Sequence, residues 1–372
     1  MTRSSQNPRV LILATSYAPE LRRPELRPRE YPRTDYVELA KMLDCDVLDY
    51  SIYDSVPRLE RYRMVERKLR LDFHLAFVGI RRARDYDVVL LGSERVAIPY
   101  MMLQRLFGRR AATVYVSAHS SAKQAKLVHA LGLFNSIGCA VSNTHAQREF
   151  LVADMGIPAD RISYVLYAAD EQFFTPVTGS RDYVFSAGGI AGRDYPTLFD
   201  AVRDSPTRVK VAAGGRFYSP SAQRRLPPIP SNVEMVAPTD SAGMRDLYRG
   251  AALVVVPLHA DRRDAAGCSV VLEAMCCGKT VVASHTKGME DYIADQTTGL
   301  LAEPSNPGAL RECIERATAG RERGEPLGRR ARAECEGRLG LNSLVTGLRQ
   351  AVEEATASGM NRNRVLGVKH ER

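Results

Sequence analysis

This 372-residue chain predicts an α/β protein with two Rossmann-like parallel sheets in tandem. Three features predict it: short β-branched apolar runs recur, helix-length segments separate them, and the alternation starts afresh after a polar break. Parallel neighbours can be joined only by a crossover, so strands alternating with helical patterns read as βαβ units. At roughly 100–200 residues per domain, the length suits two such units.

The first series of strands is Val10-Leu-Ile-Leu-Ala-Thr15, Asp46-Val-Leu-Asp-Tyr50, Asp87-Val-Val-Leu-Leu-Gly92, Thr113-Val-Tyr-Val-Ser117 and Gly138-Cys-Ala-Val-Ser142. The second is Tyr183-Val-Phe-Ser186, Arg208-Val-Lys-Val-Ala-Ala213, Val233-Glu-Met-Val-Ala237, Ala252-Leu-Val-Val-Val256 and Thr280-Val-Val-Ala-Ser284. Between them the polar segment Ala168 to Asp182, with Pro176 and Gly179, reads as a linker. These signals place a first domain at 1–172 and a second at 173–342. A helix at 343–357 is expected to pack back toward the first domain, and 358–372 to form a mobile basic tail. Ligands of such sheets bind beyond the carboxyl ends of the strands, which puts the expected site in a cleft between the two domains.

Lys plus Arg total 52 against 43 acidic residues, a formal +9 that favours anionic partners without choosing among phosphate ligands, acidic lipid and nucleic acid. Nucleic acid is set aside because the basic residues come without a recognition motif. Residues 58–84 hold nine Lys/Arg against three acidic residues, with Leu59, Tyr62, Val65, Leu69, Phe73, Phe77 and Ile80 at helical spacing. This is one basic amphipathic helix or two. It is either a solvated face over a packed one or a surface for anionic lipid with Arg63, Arg67 and Arg70 among its cations. Tyr17 to Arg33 forms an unusually long Arg/Pro-rich loop after the first strand. The start Met1 to Val10 lacks a secretory pattern, and Leu127 to Gln147 reads as helix, Gly turn and buried strand. Seven cysteines without a CxxC pair suit a reducing compartment, with vicinal Cys276 and Cys277 as packed thiols. The expected location is cytoplasmic, with peripheral attachment to the inner face of the membrane as an extension of the lipid reading.

Gly after a strand lets backbone amides approach a charged ligand, which marks Gly188-Gly189 and, less specifically, Gly214-Gly215. Arg193 follows at the start of the helix Tyr195 to Val202, a position suited to a diphosphate. No GxGxxG or Walker A loop is present, since Gly278-Lys279-Thr280 follows a helix and Glu273 stands where the first P-loop glycine would be. HExxH, GxSxG and deaminase-type Cys patterns are likewise missing. Gly267-Cys268-Ser269 opens a helix whose free amides, with that of Val270, can hold a phosphate, while Glu273 one turn in can accept both hydroxyls of a ribose.

The segment Val271-Leu-Glu-Ala-Met-Cys-Cys-Gly-Lys-Thr-Val-Val-Ala-Ser284 resembles the C-terminal signature of family-4 glycosyltransferases of the GT-B fold. Lys287 to Pro304, Phe185 to Leu198 and Tyr164 to Phe174 resemble three further stretches of that family in the same order, whereas residues 1–135 match mainly in strand-helix layout. The resemblance implies a retaining enzyme that moves a hexosyl unit from a nucleotide diphosphate sugar to an acceptor. It implies no cofactor and no metal, the sugar nucleotide being a co-substrate. The acceptor could be a polysaccharide, a lipid-linked sugar or a small metabolite. Gly188, Gly189, Arg193, Gly267, Cys268, Ser269, Val270 and Glu273 would hold the donor, with His119, Arg193 and Asp264 catalytic. His145 and His259 are weaker candidates.

Departures from the family pattern are informative. The family's acidic residue eight positions before Glu273 is Ala265 here, so either Asp264 substitutes through a shifted loop or the amides of Gly267 to Ser269 carry more of the binding. Its Arg-Lys diphosphate pair maps onto Gly189 and Arg193, leaving Arg193 to do the Lys work, with Lys279 as an aid if geometry permits. The Gly-Gly loop after the first strand is replaced by the Arg/Pro-rich loop. Alternatives are a GT-B sugar-nucleotide epimerase or phosphorolytic enzyme, which would turn over donor without acceptor, and a non-catalytic sugar-nucleotide binder, suggested by the residues missing at 265 and 189.

Overall fold

The computed structural model describes residues 8–17, 30–54, 60–108, 111–117, 122–177, 182–213, 226–237, 239–261, 265–318 and 321–365. The chain divides into two compact units, one built mainly from Arg33–Val165 and the strand before it together with the chain from Leu344 on, the other from Leu166–Ser343.

The first unit carries a six-stranded parallel sheet of β1 (Val10–Leu13), β2 (Cys45–Leu48), β3 (Val88–Leu91), β4 (Ala112–Val116), β5 (Cys139–Ser142) and β6 (Ile162–Tyr164), in the order β2-β1-β3-β4-β5-β6. β1 and β3 are buried throughout, as strands covered on both faces must be, which explains their unbroken apolar runs. The helices are α1 (Asp35–Met42), α2 (Glu60–Leu69), α3 (Phe73–Arg82), α4 (Glu94–Phe107), α5 (Ala122–Ala130) and α6 (His145–Ala153). Residues 58–84 thus become two helices, broken where Asp72 accepts two hydrogen bonds from Arg95. The last helix, α12 (Leu341–Val365), packs in this unit from Leu344: Glu354 accepts from Ser163 at 2.5 Å beside the edge strand.

The second unit has its own parallel sheet: β7 (Tyr183–Ala187), β8 (Val209–Ala212), β9 (Val233–Met235), β10 (Ala251–Val256), β11 (Thr280–Ser284) and β12 (Leu300–Ala302). Its order is β12-β11-β10-β7-β8-β9, which is the dinucleotide-fold order 3-2-1-4-5-6 read from the other edge. Around it lie α7 (Tyr195–Val202), α8 (Ser241–Gly250), α9 (Cys268–Cys276), α10 (Pro307–Thr318) and α11 (Arg321–Glu336). Strand order reverses between β7 and β10, so the crevice beyond their carboxyl ends is where this topology puts a ligand. The corresponding point in the first unit lies between β1 and β3.

All ten expected strands are present within a residue or two, but β6 and β12 were not expected. Each is three residues long and lies at a sheet edge, too short to show a period. The tail expected from Ser358 is helical through Val365, because extending an existing helix adds one hydrogen bond per residue and needs no packed face. Among the described residues no helix is long and apolar enough to cross a membrane.

Candidate functional site

Two loops leave the switch point of the second sheet. After β7 the chain passes through Gly188, at φ +133°, into a short 3-10 turn, Ile190–Gly192, and reaches Arg193. The Arg193 side chain folds back on this loop, its Nε donating to the Ala187 carbonyl at 3.0 Å and Nη1 to that of Gly192 at 3.3 Å. Only 8 % of the residue is exposed. A Cβ at Gly188 would come 2.6 Å from Nε, so glycine is required both by its backbone angle and by the guanidinium laid against it. Asp194 then caps α7 by accepting from the Thr197 amide and hydroxyl, and its own amide donates to the Pro257 carbonyl at 3.1 Å, tying this loop to the end of β10.

After β10 the chain reaches α9 through Gly267 at φ +91°, where an added Cβ would meet Val256 Cγ1 at 2.9 Å. The first α-helical bond runs from the Val271 amide to the Gly267 carbonyl, so the amides of Ser269 and Val270 precede the ladder at the positive end of the helix dipole. Cys268 and Val270 turn their side chains into the core and the Cys268 amide donates to the Ala265 carbonyl at 3.1 Å, leaving the Val270 backbone for a ligand, whereas Ser269 is exposed.

One turn on, Glu273 Oε2 accepts a 2.7 Å hydrogen bond from the hydroxyl of Tyr248 on α8. Burial pushes the Glu273 carboxyl up to about 7, the Tyr248 hydrogen bond pulling the other way. Tyr248 is fully buried between Phe174 and Phe185, with ring centroids 6.1 and 5.2 Å away, and burial first, then the Glu273 carboxylate, drive its hydroxyl well above its ordinary value. The Arg193 charge works against that rise, which puts Arg193 within electrostatic reach of Tyr248. Tyr195 also joins the cluster, its hydroxyl donating to the Gly188 carbonyl at 2.9 Å. Sequence reasoning missed Tyr248. The one signal available was that a tyrosine on the inner side of a helix needs a partner for its hydroxyl, and the partner lies 25 residues away.

Several expectations change. Lys279 is 2 % exposed and donates to the carbonyls of Arg249 and Ala251 at 2.6 and 2.8 Å. It precedes β11, at the amino edge of the sheet, and so cannot aid a diphosphate at the carboxyl edge. Replacing Lys279 by methionine is expected to cost about 2–3 kcal/mol by leaving two buried carbonyls unpaired, with nucleotide affinity unchanged. Thermal unfolding and calorimetry of the same variant check both halves. Ala265 is buried and keeps no carboxylate at that position, while Asp264 and His119 lie outside the described residues, as do Gly214, Gly215 and most of the loop after β1. His259 is half-exposed with Nδ1 3.9 Å from Asp194, and His145 packs against Tyr164 with ring centroids 4.3 Å apart. Cys276 and Cys277 are buried free thiols.

In the first unit, a buried network fixes the end of β4, the point from which residues 118–121 depart. Glu94 Oε1 accepts from Tyr115 at 3.0 Å and Ser117 at 3.2 Å, and Gln147 donates to both oxygens of Ser117 at 3.1 Å. At the β1/β3 switch point lies a cavity of about 150 Å³ with Thr15, Ser16, Asp35 and Tyr36 in its wall.

Two six-stranded parallel sheets in one chain, the second carrying a glycine loop and a carboxylate helix at its switch point, make up the GT-B architecture. Residues 197–334 match the model of the family Glycosyl transferases group 1, in agreement with the resemblance read from the sequence. The chain is 27 % identical over 171 residues to an uncharacterized glycosyltransferase of Methanocaldococcus jannaschii, covering 46 % of this chain and 47 % of the relative. It is 28 % identical over 225 residues to the D-inositol 3-phosphate glycosyltransferase of Gordonia bronchialis, covering 53 % of this chain and 48 % of the relative. The chain thus spans about half the length of these curated relatives. In fold it is similar to Anabaena HepE, solved in complex with UDP and glucose, with a TM-score of 0.67, 14 % identity, and coverage of 93 % of this chain and 99 % of that one.

Proposed function

We propose that this protein is a retaining glycosyltransferase that moves a hexosyl unit from a nucleotide diphosphate sugar to an acceptor, without a metal or other cofactor. The observation that carries the reading is the Gly188 to Arg193 loop and the α9 amides beyond the carboxyl ends of β7 and β10, with Glu273 and its Tyr248 partner following within α9 and its neighbour α8. Glu273 would accept the ribose hydroxyls. Arg193 and the amides of Ser269 and Val270 would stabilise the charge that develops on the leaving diphosphate. UDP is the first donor nucleotide to test, since HepE was solved with it. Gly188 and Gly189 would let the diphosphate approach the backbone, His119 would bond sugar hydroxyls, and Asp264 would serve in place of the acid missing at 265. The acceptor would enter by the cavity at the β1/β3 switch point, whose wall offers hydroxyl and carboxylate partners to a hydroxylated molecule such as a polysaccharide end, a lipid-linked sugar or a small metabolite. The reading includes cytoplasmic work as a peripheral protein on the inner membrane face.

Ala265 and Gly189 favour a second reading, a non-catalytic sugar-nucleotide binder. Calorimetry with UDP and UDP-sugars, paired with a UDP-release assay over an acceptor panel, separates the two. Binding with acceptor-dependent release supports transfer, binding without release supports the binder, and release without acceptor points to epimerase or phosphorolytic chemistry. No binding of any nucleotide sugar sinks all of them.

A further inference from the structure

Helix α2 is packed inside out. A surface helix ordinarily turns its apolar stripe to the core and its charges to water. Among the described side chains of α2 the buried one is Glu66, 2 % exposed, with Arg63 partly buried beside it. Tyr62, Val65 and Leu69, spaced i, i+3 and i+7 on one side, are 63, 56 and 56 % exposed. The helix is held by a polar clasp. The Arg63 guanidinium lies 5.4, 5.5 and 5.1 Å from the ring centroids of Tyr17, Tyr50 and Tyr53 and donates to the Tyr17 hydroxyl at 2.7 Å. Glu66 Oε1 accepts the His74 backbone N–H at 2.7 Å.

The clasp has an electrostatic consequence. It buries Glu66, and Asp72 next to it is buried under Tyr50 and Arg95, so two of the acidic residues of this stretch are withdrawn from the surface. Arg67, Lys68 and Arg70 stay exposed around the apolar stripe. On α3, Phe77 is 43 % exposed with the Arg81 guanidinium 5.8 Å from its ring. Arg63, expected among the outward cations, is the one that turns inward.

We propose that the outward stripe of α2 and its cations dock on an anionic phospholipid bilayer. This names the partner surface for the peripheral protein proposed above and rests on that reading. A ten-residue helix is about 15 Å long, too narrow a strip for the roughly 800 Å² per partner of a specific protein interface. A bilayer asks only for apolar side chains at the headgroup boundary with long cations beside them.

The test is co-flotation of the full chain with phosphatidylcholine vesicles, with and without about a third phosphatidylglycerol. The expected result is at least tenfold stronger partition into the anionic vesicles, weakened by salt. The combined variant Tyr62→Ser, Val65→Ser, Leu69→Ser should lose at least tenfold. Arg67→Gln with Lys68→Gln should lose about fivefold per cation. Far-UV circular dichroism and the thermal unfolding midpoint should be unchanged in both, which shows the first unit intact, and nucleotide-sugar affinity should be unchanged as well. Equal partition into neutral and anionic vesicles, or variants that float like the wild type, overturns the proposal. A concentration-dependent dimer that the serine variant dissolves also overturns it, by showing that the stripe meets a second copy. Vesicle binding by a wild type that binds no nucleotide sugar would sink the glycosyltransferase reading and leave the docking surface standing.

Discussion

Arg193→Ala is expected to reduce sugar transfer by about 10²- to 10³-fold, the usual cost of deleting one donor aimed at a developing negative charge. The effect should be larger than charge loss alone explains, because the same guanidinium closes the loop from Ala187 to Gly192 by two hydrogen bonds to its carbonyls. Arg193→Lys separates the two contributions. It restores a positive charge but cannot make the forked contact with the backbone, so it should recover only part of the rate. Steady-state kinetics with a UDP-sugar and UDP-release detection read both variants. Normal transfer and unchanged donor affinity in Arg193→Ala would remove this residue from the site.

The second large effect is on pH dependence. With its carboxyl at about 7, Glu273 passes from mostly protonated to mostly ionised between pH 6 and 8. Two ribose hydroxyls need an acceptor, and a protonated carboxyl offers less of one. Affinity for a UDP-sugar should therefore rise about tenfold across that interval, in proportion to the ionised fraction. A UDP-sugar suits the measurement better than UDP, because its diester diphosphate carries no proton near neutrality. Glu273→Gln should flatten the profile. Tyr248→Phe deletes the hydrogen bond that holds this carboxyl down, so its midpoint should move to higher pH while the fold persists. A flat wild-type profile, or one midpoint for wild type and Tyr248→Phe, refutes the assignment. Stability should run the other way. The folded protein keeps a proton that the unfolded chain gives up near 4.5, so this residue makes stability fall as pH rises from about 4.5 to 7, and Glu273→Gln should lose that slope.

The site was legible in part. Gly188, Arg193, Gly267 and Glu273 could be found because each stands at a fixed offset from a strand end, and strand ends follow from apolar runs. Tyr248 could not, because its role depends on which helix packs beside α9. Lys279, an aid to the diphosphate only if geometry permitted, is set aside for the converse reason: beside Gly278 and Thr280 it has the look of a phosphate-binding lysine, yet parallel pairing of β10 and β11 puts it at the far edge of the sheet. The 58–84 helices show the same limit. Their composition and spacing were plain, but spacing only says that a helix has two faces.

The amino-acid sequence by itself determined the two α/β units, the position of nearly every strand and the family signature around Glu273, because β-branched runs and glycine turns are local properties of the chain. The tertiary structure alone decided which groups share an environment. It set Arg193 against Gly188, Tyr248 against Glu273 and Arg63 among three tyrosines, and it left the apolar side of α2 in water. These are contacts between distant segments, and their burial and electrostatics exist only once the sheets have brought those segments together.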